Sequence, residues 1–104
     1  AMSAFTHIGH KWSGANPELL QDVLRGEWGF QGFVTTDAGM PGGFMDAGLA
    51  CRNGNDLMLD MGLASGAKAV ETAYQADPAG VLLGLRSCAH NLLYSLLNYT
   101  AVVK

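Results

Sequence analysis

An α/β fold of three parallel strands alternating with helices, in the order β-α-β-α-β-α, is what these 104 residues predict. Short apolar runs with β-leaning residues recur near 1–5, 33–37 and 56–60. The intervals between them have room for helices, as parallel strands joined by right-handed crossovers require. Two helix starts are also written alike, a polar cap followed by proline, at Asn16-Pro17 and Asp77-Pro78.

The elements follow in chain order. Ala1 to Phe5 is short and mostly apolar, a strand, and Gly9 to Ala15 is a loop holding His10, Lys11 and Trp12. Asn16 can cap free backbone N–H groups, Pro17 suits the first helical position, and Glu18 suits the positive end of the helix dipole. Leu19, Leu20, Val23 and Leu24 make an apolar stripe at helical spacing, and Gly26 stands near the end of that helix. Gly29 and Gly32 bracket a tight connection, since glycine reaches backbone angles that other residues avoid. Phe33-Val34-Thr35-Thr36 then reads as a buried strand that Asp37 ends, with a Gly- and Pro-rich loop from Gly39 to Gly43 behind it. Phe44 to Arg52 is a short helix broken by Asn53-Gly54-Asn55, and Asp56-Leu57-Met58-Leu59-Asp60 is the next buried strand. After a loop over Gly62–Gly66, helices are predicted for Ala67–Tyr74 and from about 78 to 99. The last has a wide apolar stripe, but Gly84, Arg86, His90 and Asn91 interrupt any run near the ~20 apolar residues of a membrane span, so it reads as a helix lying on a sheet.

With 49% hydrophobic and 14% charged residues, the composition is that of a soluble globular protein, and residues 1–104 form one domain with a modest core. A net charge of −3 with no basic stripe argues against nucleic acid as a partner. Cys51 and Cys88 make neither a disulfide framework nor a metal site, and read as buried thiols. His7, His10 and His90 match no ligand spacing, so no metal and no cofactor is expected. No targeting segment stands in the sequence, which leaves the compartment open.

A carboxylate at the carboxyl end of a buried strand, before a Gly-rich loop, lies where α/β barrels and open α/β sheets place their chemistry. From the residues alone, Asp37 is equally an acid that caps the loop or pairs with a neighbour. The run Leu19-Leu20-Gln21-Asp22-Val23-Leu24-Arg25-Gly26-Glu27-Trp28-Gly29-Phe30-Gln31-Gly32-Phe33-Val34-Thr35-Thr36-Asp37 resembles, in one register, the helix–turn–strand signature of glycoside hydrolase family 3, the β-glucosidase and β-N-acetylglucosaminidase group. The resemblance extends to residues 1–9, to Gly54-Asn55-Asp56-Leu57-Met58-Leu59, and to Asn91–Asn98 in the closing helix. It implies a partial TIM-type barrel, its last three strand–helix units, with Asp37 as the catalytic nucleophile of a retaining glycosidase acting on β-linked glucosides or related sugars.

Such chemistry needs a second carboxyl group, a general acid/base of raised pKa. Glu18, Asp22 and Glu71 read as solvated helix faces, and Glu27 lies at the wrong end of its strand. Asp60, at the right end of the next strand, reads as a surface acid. In the family the acid/base comes from a later domain or an earlier barrel loop, outside this chain, so the chain alone is expected to be inactive. By the same resemblance Phe5 and His7 fall on a substrate-side strand, with His7 where the family has arginine and Ala38 where many members have a stacking tryptophan. Trp12, in a loop on that mouth, is a candidate sugar contact, whereas Trp28 reads as packing. A rival reading is a non-catalytic module that self-associates: open sheet edges and exposed helix faces favour a homo-oligomer, with domain swapping as one route.

Overall fold

β-branched residues at the middle of the chain set the sheet. In the computed structural model, which describes residues 1–39, 43–61 and 64–99, Thr35–Ala38 and Leu57–Leu59 pair in parallel. An antiparallel hairpin precedes them, His7–Ile8 with Lys11–Trp12, turning at Gly9 with φ +64°. These strands are β1 (His7–Ile8), β2 (Lys11–Trp12), β3 (Thr35–Ala38) and β4 (Leu57–Leu59). The described residues thus form a mixed helix/sheet domain with two small sheets.

The expected strand over 1–5 is reduced to a single parallel bridge between Met2 and Thr35, so the array of three full strands contracts to a pair. Two bonds hold the bridge, Ser3 N–H to the Thr35 carbonyl at 2.8 Å and Thr35 N–H to the Ala1 carbonyl at 3.0 Å. Beyond it the chain bends away, because the Trp12 indole N–H and Ser13 Oγ both donate to the Ala4 carbonyl at 2.8 Å. The hairpin sits where the sequence reads as loop.

The helix after Asn16 runs Glu18–Glu27 and is π-wound. Trp28 N–H closes it by reaching back five residues to the Val23 carbonyl at 2.9 Å. Asn16 does cap it: its Oδ1 accepts from Leu19 N–H at 3.2 Å. Gly29 then turns the chain with φ +68°. Three α-helices follow, α1 (Ala47–Arg52), α2 (Ser65–Ala76) and α3 (Pro78–Tyr99). Asp46 caps α1 through Leu49 N–H, and Asp77 caps α3 through Gly80 N–H at 3.1 Å. Of the loops read from sequence, residues 40–42 and 62–63 lie outside the described residues, and Ser65 and Gly66 already belong to α2.

The core lies between the strand pair and the helices. Val34, Thr36 and Val81 are its largest fully buried side chains. Cys51 and Cys88 pack on Val81 as free thiols, and burial pushes the Cys88 thiol up to about 12. α3 crosses α1 at Gly84, where an added Cβ would lie 2.6 Å from the Cys51 carbonyl oxygen and 3.1 Å from Arg52 Cα. Those atoms are backbone and cannot swing aside. Gly84→Ala is therefore expected to cost roughly 1–3 kcal/mol, read as a lower urea midpoint. A midpoint within error of the parent would mean that the helices separate freely.

Candidate active site

Thr36 is fully buried, and its Oγ1 accepts from Leu59 N–H at 3.0 Å, which pins β3 to β4. The next residue, Asp37, is therefore carried to the carboxyl end of β3 on a fixed strand. It is half-buried, and its Oδ1 accepts from Ala38 N–H at 2.7 Å. Gly39 N–H then donates to the Leu59 carbonyl at 2.7 Å, so both strands finish at one level.

Asp60 follows β4 directly. Its Oδ1 accepts from Ser65 Oγ at 2.6 Å and its Oδ2 from Gly66 N–H at 2.8 Å. The Ser65 hydroxyl first, and the Gly66 amide second, hold its carboxyl below the usual carboxylate range. Asp60 is thus a fixed anion at the start of α2, the opposite of what a proton donor to a leaving group needs. A hollow of about 160 Å³ between Gly39, Met45, Met58 and Asp60 opens at this end of the strands.

Since folding lowers the Asp60 pKa, its contribution to stability is present above the unfolded value and lost as pH falls through the folded one. Ser65→Ala is expected to raise the Asp60 midpoint toward the ordinary carboxylate value in a carbon-13 NMR titration. An unmoved midpoint would assign the depression to the Gly66 amide alone.

Of the three predicted sugar contacts, His7 and Trp12 come together as cross-strand partners. Phe5 is exposed. His7 is exposed and meets Phe44 edge-on, with ring centroids 4.6 Å apart. Trp12 is only 4% exposed and lies 6.1 Å from the same Phe44, a packing position. Trp28, read as packing, is 73% exposed just before the turn at Gly29. Phe44 thus gathers His7 and Trp12 into one aromatic cluster, while no hydrogen bond or ring contact joins Asp37 to Phe5, His7 or Trp12.

The acid that matters most to this architecture is one that sequence reasoning passed over. Asp56 opens β4 with its side chain 1% exposed. Its Oδ2 accepts from Arg25 Nη2 and from Val34 N–H, both at 2.7 Å, and its Oδ1 from Asn91 Nδ2 at 2.9 Å. A carboxylate at the head of an apolar strand was the available signal, because a buried charge needs partners. Asp56 stands at the amino end of the strands, away from Asp37, and is structural.

Among the described residues no group of three or more His, Cys, Asp or Glu side chains could hold a metal ion. No helix of the described residues is long and apolar enough to cross a membrane. No family model matches the chain, and no curated protein matches it.

Proposed function

We propose that this chain is the closing part of the (β/α)8-type catalytic barrel of a retaining β-glycosidase, with Asp37 as nucleophile. One observation carries the proposal. The aspartate of the family-like helix–turn–strand run is a half-buried carboxylate at the carboxyl end of a parallel strand pinned to its neighbour. Asp37 would attack the anomeric carbon, expel the aglycone and form a glycosyl-enzyme that water then hydrolyses. The lowered pKa of Asp60 supports an acid/base supplied from outside this chain. The substrate class is β-linked glucosides or related sugars, and the chain alone is inactive.

The test is mass spectrometry of the longer parent protein after incubation with a 2-deoxy-2-fluoro glycoside, which traps the glycosyl-enzyme. A label on the peptide holding Asp37 is expected. Turnover of ordinary substrate with the label on another peptide would remove Asp37 from the role.

A second reading has its own observation. Leu57 and Leu59 on β4 are 44% and 46% exposed, and Leu82, Leu83, Leu93, Leu96 and Leu97 on α3 are exposed too. A self-associating α/β module would cover these faces. Sedimentation of the isolated chain decides it: a stable monomer at high concentration would sink this reading.

A further inference from the structure

The largest cleft described, about 800 Å³, is not beside Asp37 but at the amino end of the strands, between the π-helix, the end of α1 and α3. The chain has three arginines, and Arg25, Arg52 and Arg86 all line this one cleft. Ser87 and His90 border it on α3; Asp56 is the one carboxylate among the described residues that line it, and Asp77 pairs with Arg52 at its edge. In a protein of net charge −3, positive charge is therefore concentrated in one concave place.

The three guanidinium groups are not equally engaged. Arg25 is committed, with Nη1 on the Gly32 carbonyl at 2.8 Å and Nη2 on Asp56 at 2.7 Å. Arg52 gives Nε to the Gly48 carbonyl at 2.9 Å and Nη1 to Asp77 at a long 3.3 Å, which leaves Nη2 uncommitted. Arg86 is exposed and makes no hydrogen bond or ion pair with any described residue. Asp56 neutralises Arg25 and Asp77 stands 3.3 Å from Arg52, so the uncompensated positive charge at the cleft is that of Arg86.

We infer that this cleft is a binding site for a compact phosphate-type oxyanion, held by Arg86 and Arg52. The Arg86 guanidinium fork matches phosphate oxygens two at a time, Arg52 Nη2 adds one further donor, and the Ser87 hydroxyl borders the same wall. Arg25, locked on Asp56, sets the position of the cleft wall. The site is independent of the glycosidase reading, since Asp37 is not among its residues.

Arginine footprinting of the whole chain tests it. Phenylglyoxal modification is followed peptide by peptide, with pyrophosphate as the ligand and sodium chloride of equal ionic strength as the control. With pyrophosphate at ten times its dissociation constant, modification of Arg86 and Arg52 is expected to slow about tenfold, and chloride to leave it unchanged. Arg86→Gln is expected to weaken pyrophosphate binding about tenfold by calorimetry. Equal rates with pyrophosphate and chloride would overturn the site, as would full affinity in a folded Arg86→Gln, Arg52→Gln double variant. If the variants do not fold, the footprint of the unaltered chain decides.

Discussion

Asp56→Ala is expected to remove a large share of the stability of the folded chain. The side chain is 1% exposed and accepts from Arg25, Val34 and Asn91. Alanine leaves an uncompensated guanidinium and two unpaired donors in a place that water reaches poorly. Breaking a buried pair from one side costs roughly 3–5 kcal/mol, against about 5–15 kcal/mol for a whole domain. Urea unfolding followed by far-ultraviolet circular dichroism measures the loss. Removing both charges, as in Asp56→Leu with Arg25→Met, should cost less than Asp56→Ala, because the pair repays little beyond its own desolvation. A single-variant cost below about 1 kcal/mol would show that the Arg25 charge finds water or another partner.

The second large effect is on activity. Under the proposed function, Asp37→Asn in a full barrel is expected to lower glycoside turnover roughly 10⁴-fold or more, the scale for losing a residue that forms and breaks the reacting bond. Its cost to folding should stay within about 1 kcal/mol, since among the described residues the only hydrogen bond to its carboxylate is the N–H of its own neighbour, Ala38. That contrast in stability separates the two acids: Asp56 is held by three partners and Asp37 by its own neighbour's N–H. Turnover within tenfold of the parent, with the protein folded, would end the nucleophile assignment.

Local signals carried the fold as far as they reach. Asn16-Pro17 and Asp77-Pro78 start helices as written, and Asp77 caps through Gly80 N–H. The two apolar runs became β3 and β4 with their ends shifted by a residue or two. The first strand shrank because bonds to the Ala4 carbonyl, made by residues 12 and 13, draw the chain aside. The hairpin escaped notice because two-residue strands carry no alternation to read. The two tryptophans exchanged their expected roles, Trp12 inside and Trp28 outside, since neither a loop nor a helix end states which face will be covered. Asp37 was legible as the end of a strand. Asp56 was not legible as a hub, because two of its partners are 31 and 35 residues away in sequence.

Those long separations also set an order of events during synthesis. The approaches to both strands are latched by groups that leave the ribosome late: Asn91, which grips Asp56 before β4, and Ser95, whose hydroxyl accepts from Phe33 N–H before β3 at 2.9 Å across 62 residues. Loop-closure entropy must be met before such distant contacts return anything. A nascent chain halted before residue 91 would hold the Phe33–Asp37 segment by its bonds to residues 1–3 and 56–59 alone, without the clasps from α3. The strand bearing Asp37 is translated early and receives its final clasps from the last helix.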